Sequence, residues 1–198
     1  MHSPGSNAPV TPRTRAEIPD AAAGVRHDHA VRKTWITRDG AEMKLRPIQD
    51  SDAGPLLSFV QRLSFGTRYF RYGRGNFELR EEEIQRACRP APDRCVHLLV
   101  LMGPAANQVV VGSGRIVFEA GAKSCELAMT VADSWQRRGV GRRLLEALIE
   151  ASRRKGQTQM WARVLATNRT MIAFLLRRGF VVSDHGDGTS LKIARLAL

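Results

Sequence analysis

The spacing of apolar residues divides the chain into helical and extended stretches. Leu56, Leu57, Val60 and Leu63 form one stripe at helical spacing and predict a helix over 50–63, with Asp50, Ser51 and Asp52 as caps. Val140, Leu144, Ala147, Leu148 and Ala151, widened by Leu145 and Ile149, predict a clearer helix over 139–155. Residues 78–88 read as a charged helix stopped by Pro90 and Pro92, and 168–178 as a helix ended by Gly179. Three runs, 95–102, 109–119 and 124–131, read as strands of an antiparallel meander. Residues 34–37 and 42–47 flank Asp39-Gly40 as a hairpin, 159–165 adds a strand, and 180–183 and 191–196 close the chain. Together these predict a mixed α/β (α+β) fold in a single domain over 34–198. The segment 64–77, SFGTRYFRYGRGNF, is aromatic and basic.

Residues 1–33 differ in kind. They hold four prolines and no apolar periodicity, so they cannot bury enough surface to offset their ordering entropy and read as a disordered tail. His27 and His29 lie there, and an isolated pair in a tail reads as solvated rather than as a metal site. No apolar run is long enough to span a bilayer, and the N-terminus lacks a signal-peptide core. Three scattered cysteines, Cys88, Cys95 and Cys125, form no CxxC pair and suit a reducing, cytoplasmic setting without zinc.

Charge narrows the reading. The 198 residues carry a formal net charge of +12, which favours an anionic partner. Nine of those charges fall between Gln136 and Phe180, where eleven Lys/Arg stand against two Asp/Glu. That stretch opens with Gln136-Arg137-Arg138-Gly139-Val140-Gly141, placed between a strand and the strongest helix. Unpaired N–H groups at a helix start carry the positive end of its dipole, and glycine lets that backbone approach a phosphate. Arg137, Arg138, Arg142 and Arg143 add charge a pyrophosphate can use. Without the Gly-Lys-Ser/Thr ending it is no Walker loop, and on spacing alone a tight turn with a solvated basic face remains an equal reading. Gly112 and Gly114, inside one strand, predict a bulge or a close backbone approach.

The Gln136–Gly141 run resembles the pyrophosphate loop of the GNAT superfamily of acetyl-CoA-dependent N-acetyltransferases. Asn168, Met171, Leu175, Gly179 and Phe180 resemble that family's following helix-to-strand motif at the right distance, and the order of elements matches over 41–198. A narrower likeness, to the bacterial Pat-type protein lysine acetyltransferases, rests on Leu45–Ile48, Arg62–Tyr72, Asp93-Arg94 and Glu126–Gln136. The resemblance implies a twisted mixed sheet splayed between its fourth and fifth strands, with helices on both faces and acetyl-CoA in the splay. It implies that Met129, Thr130 and Val131 hold the pantetheine arm. It also implies that Gln136, Arg137, Arg138, Gly139, Val140, Gly141 and Arg142, with Asn168, Met171 and Leu175, complete the donor site. No metal is implied. Many relatives carry a tyrosine where Leu175 stands, so the departing thiolate needs another proton source.

Transfer to an amine requires a base, because a lysine amine at pH 7 costs roughly 4–5 kcal/mol to deprotonate. Glu126 is the candidate: strand alternation sets it with Ala128 and Thr130, opposite Leu127, Met129 and Val131. The resemblance assigns a glutamate at this strand position that role. The competing reading is an ion-paired strand carboxylate with Arg115 as its partner across the meander. Glu119 is the reserve base, and His97 reads as structural. Arg68, Tyr69, Arg71 and Tyr72 sit where the resemblance implies that acceptors enter, but a helix-packing cluster beside the pantetheine is the favoured reading. The expected acceptor is a primary amine, of a protein lysine or a small molecule, and the chain a monomer or homodimer. A CoA-binding sensor without activity and a basic nucleic-acid-binding protein are the rival readings. The clustering of charge at the Gly loop argues against a dedicated nucleic-acid groove.

Overall fold

In the computed structural model, residues 31–73, 75, 80–104, 107–186 and 190–198 are described. The strands are β1 (Lys33–Ile36), β2 (Glu42–Pro47), β3 (Cys95–Met102), β4 (Val109–Phe118), β5 (Ser124–Val131), β6 (Gln159–Leu165), β7 (Val181–Asp184) and β8 (Leu191–Ala197). The helices are α1 (Ala53–Arg62), α2 (Phe65–Tyr72), α3 (Glu81–Cys88), α4 (Val140–Arg154) and α5 (Arg169–Leu176). One sheet takes all eight strands in the order β1-β2-β3-β4-β5-β6-β8-β7. Every pairing is antiparallel except that of β5 with β6.

Side-chain alternation along the central strands separates two cores. Val96, Leu98 and Val100 of β3 pack with Leu144, Leu145 and Leu148 of α4 on one face. Leu99 and Leu101 pack with Phe59 and Val60 of α1 and Ile84 of α3 on the other. Helices therefore cover both faces, as expected. A buried ion pair fixes β2 to the start of α1: Arg46 Nη1 and Nη2 donate to the Asp52 carboxylate at 2.6 and 2.7 Å. Asp52 also accepts from Gln49 N at 2.7 Å, so it closes the 3-10 turn over Asp50–Asp52 and does not cap α1.

The glycine pair in β4 is both a bulge and a close approach. The β3/β4 register slips opposite Val100 and Leu101. A Cβ on Gly114 would lie 2.8 Å from Leu148 Cδ1 and 3.1 Å from Leu144 Cγ, so its absence lets α4 press onto the sheet.

Two boundaries shift. Val31 is buried and Lys33 opens β1, with its Nζ on Glu150 of α4 at 2.7 Å, so the folded body reaches into the expected tail. Residues 1–30, with His27 and His29, lie outside the described residues. The splay falls between the fifth and sixth strands, because the N-terminal hairpin contributes two strands to the count.

Candidate active site

The splay follows from the extent of one strand pairing. β5 pairs with β6 only through Ser124, Cys125 and Glu126, opposite Gln159, Met160 and Trp161. From Leu127 to Val131 it pairs with β4 alone. Beyond the fork, β6 continues against β8 as far as Leu165. The Val131 carbonyl accepts from Gln136 Nε2 at 3.1 Å, so that edge of β5 faces away from β4. Main-chain groups alternate along a strand, so Met129 and Leu127 present theirs on the same open edge.

At the end of β5 the chain turns through Asp133–Trp135 into α4. Gly139 precedes the helix with φ 84° and no side-chain cap, and Arg137 also takes a left-handed φ of 59°. Among the described residues, no N–H from Arg137 to Arg142 is paired within the protein; the first ladder bond runs from Arg143 N to Gly139 O at 3.2 Å. This is a row of free donors at the positive end of a fifteen-residue helix. Gly139 is required by its φ, since nothing lies within 4 Å of a Cβ there. Gly141 is not: its Cβ would make ordinary contacts with Val131, Met129 and Phe174.

The four arginines of the loop differ. Arg138 pairs with Asp39 of the β1–β2 hairpin and lies 4.9 Å from the centre of the Trp135 ring. Arg143 stacks over Trp35 at 5.0 Å, and Arg142 pairs with Glu146 at 3.1 Å. Arg137 is exposed and has no acidic partner among the described residues. Val140 is buried in the core, and Gln136 holds the turn against β5.

Glu126 stands at the fork, on the face predicted for it. Its partner is Arg163 of β6, not Arg115: Arg163 Nη2 and Nε donate to Oε1 at 2.9 and 3.2 Å. Arg115 lies opposite Ala128 instead. The Oε2 oxygen accepts no hydrogen bond among the described residues. Glu119 is engaged elsewhere, accepting from Trp161 Nε1 at 3.1 Å and from the Ser124 hydroxyl. His97 is buried. Its Nδ1 lies 3.0 Å from the Ala87 carbonyl, which can only accept, so Nδ1 carries the proton and Nε2 accepts from Ser113 Oγ at 2.9 Å. Burial pushes the imidazole down to about 4, so it is neutral at pH 7.

Sequence periodicity missed α2, which spans the aromatic and basic segment. None of its residues is fully buried, although Phe65, Tyr69 and Tyr72 fall at helical spacing. Its signals are caps: Ser64 Oγ accepts from Thr67 N at 3.2 Å, and Gly73 ends it with φ 75°. Asp133 ties this helix to the Gly loop, accepting from Ser64 N (2.9 Å), Ser64 Oγ (2.7 Å) and Thr67 Oγ1 (2.7 Å). Tyr69 and Phe70 stay exposed, while Arg68, Arg71 and Tyr72 are half-buried.

The second motif is mainly architectural. Asn168 caps α5, its Oδ1 accepting from Met171 N at 3.1 Å, and Met171 packs at the rim of the core. Leu175 is wholly buried in the core. Thr130 is buried with Oγ1 unpaired among the described residues. No three His, Cys, Asp or Glu side chains among the described residues converge as a metal site, and no helix is long and apolar enough to cross a membrane.

Comparison with known proteins agrees with this geometry. The acetyltransferase (GNAT) family profile matches residues 60–180, from α1 to the start of β7. The chain is 30% identical to the acetyltransferase PA5475 of Pseudomonas aeruginosa over 180 residues, covering 90% of this chain and 94% of that one. Among solved structures, the GNAT domain of S. lividans PAT superposes with a TM-score of 0.75 at 24% identity, over 84% of this chain and 97% of that one. The PaiA N-acetyltransferase of Thermoplasma acidophilum, solved in complex with coenzyme A, superposes at 0.63 and 16% identity, over 79% and 99%. The chain belongs to the GNAT family and is an acetyltransferase.

Proposed function

We propose that this acetyltransferase moves an acetyl group from acetyl-CoA to a primary amine, of a protein lysine or a small molecule, by direct attack in a ternary complex. The observation that carries the reading is the row of unpaired N–H groups from Arg137 to Arg142 beside the open edge of β5. The N–H row, with Arg137 and Arg142, suits the donor's pyrophosphate, and the open edge from Leu127 to Val131 suits the amides of its pantetheine arm. Acetyl-CoA supplies the acyl group as a thioester.

The remaining chemistry falls to the chain. The Met129 N–H on the open edge can donate to the acetyl oxygen as charge gathers there. Glu126 takes the amine proton at Oε2, directly or through one water, while Arg163 holds Oε1 in place. The amine nitrogen bonds to the acetyl carbon, the carbon–sulfur bond breaks, and the thiolate takes a proton from solvent. Free, unpaired cysteines suit a cytoplasmic protein.

The test is a panel of primary amines assayed for CoA release by wild type and Glu126→Gln. Transfer by wild type that falls about 10²-fold or more in the variant supports the reading. Equal rates in both would remove Glu126 as base. CoA binding with no transfer to any amine would favour a binding protein without chemistry.

A further inference from the structure

The face of the sheet that carries Glu126 holds more positive than negative charge. Register places Glu126 and Ala128 of β5 beside Val117 and Arg115 of β4, and Arg115 beside His97 of β3. Arg163 reaches in from β6. Helix α2 packs against β5, and its Arg71 is held partly out of water with its guanidinium over the Tyr72 ring at 5.0 Å. His97 is neutral, and the two carboxylates on this face, Glu126 and Glu119, are both already engaged, Glu126 by Arg163 and Glu119 by Trp161 and Ser124. Arg71 and Arg115 make no ion pair or hydrogen bond among the described residues, and Arg115 Nε is buried without a partner. Neither residue is fully buried. A guanidinium held partly out of water without an anion is costly, and bidentate carboxylate recognition is what its geometry suits. The donor's phosphates cannot fill the need, because the N–H row that suits them lies past the end of β5.

We propose that Arg71 and Arg115 select the acceptor, and that the acceptor is an amine that also carries a carboxylate. The inference rests on Glu126 receiving the amine, as proposed above. The same net positive charge opposes polycationic amines, and it favours loss of the proton from the incoming ammonium.

Matched acceptors test it. With acetyl-CoA saturating, kcat/KM is measured for Nα-acetyl-lysine and its carboxamide, which differ by one carboxylate. It is also measured for end-blocked Glu-Lys-Glu, Gln-Lys-Gln and Arg-Lys-Arg peptides. The expected preference for the acidic member is about tenfold or more, shrinking with added salt. A preference confined to Nα-acetyl-lysine identifies a free amino-acid-like acceptor. One confined to the Glu-flanked peptide identifies an acidic protein segment. The ratio collapses toward one in Arg71→Gln and Arg115→Gln, and Arg71→Lys restores part of it. If Arg115→Gln fails to fold, Arg71→Gln, on a surface helix, carries the test. Without donor, glutarate raises the Tm of wild type and not of Arg71→Gln. Preference for the neutral or cationic peptide, or a ratio unchanged in Arg71→Gln, overturns the inference. So does failure to acetylate any of the five. Calorimetry with acetyl-CoA separates the two levels: donor binding without acidic preference removes only the acceptor assignment, and absence of donor binding removes both.

Discussion

Arg163 and Glu126 meet where the sheet divides. Arg163 grips Glu126 Oε1 at 2.9 and 3.2 Å, and Glu126 is the last residue of β5 that pairs with β6. The ion pair thus closes the paired end of the fork, and the open edge of β5 begins one residue later. A carboxylate held by one oxygen, with the other free, has a fixed direction in which to accept a proton.

Glu126→Gln keeps the side-chain shape and removes the proton acceptor. Transfer to the best amine should fall about 10²-fold or more in kcat/KM, with the affinity for CoA unchanged. Stopped assays together with calorimetry on both proteins check this.

Gly114 has no room for a side chain. Its Cβ would press on Leu148 and Leu144, both wholly buried, so Gly114→Ala should destabilise the fold by about 1–3 kcal/mol. Gly112→Ala, whose nearest contact would be 3.3 Å from Val140 Cγ1, should cost less. Urea unfolding of the two variants ranks them.

Much of this was legible in the chain. Strand β3 declares itself as a continuous apolar run because both its faces are buried, and helix α4 by the stripe it buries against the sheet. The Gly loop was legible from Gln136–Gly141 and its arginines. Helix α2 was not, because it rests on its caps rather than on burial. Nor was the partner of Glu126: Arg163 stands thirty-seven residues on, brought there by a parallel pairing that local periodicity does not encode. Leu175 reads as a site residue by motif, and packing places it in the core.

Asp133 joins α2 to the Gly loop through Ser64 and Thr67. Burial, the largest single influence, raises its carboxyl, but the bonds from Ser64 and Thr67 together hold it below the ordinary value of 3.8. The unfolded chain therefore binds this proton first, so the contribution is present above about pH 4 and is lost as pH falls through the folded value. Asp133→Asn should lower the Tm at pH 7 and flatten its decline in acid, which thermal melts from pH 3 to 7 measure.

His97 gives a second acid-side slope. Its folded value of about 4 lies below the ordinary 6.5, so the unfolded chain takes up the proton while the folded one does not. Stability should be full above pH 6.5 and fall between 6.5 and 4, by about 3 kcal/mol in all. The imidazole resonances should stay constant from pH 7.5 to 5.5, and titration of His97 within that range would contradict its buried, neutral state.

The central claim is that the N–H row from Arg137 to Arg142 binds the phosphates of an acyl donor. It is tested most directly by calorimetric titration of acetyl-CoA and CoA into wild type and Gly139→Ala. Alanine at a φ of 84° costs roughly 1–2 kcal/mol and distorts the row. The expected result is one-to-one binding of both ligands that persists at higher salt and weakens in Gly139→Ala. Absence of saturable binding, or binding equal in the two proteins and abolished by salt, would contradict it and leave the loop as a turn beneath a basic surface.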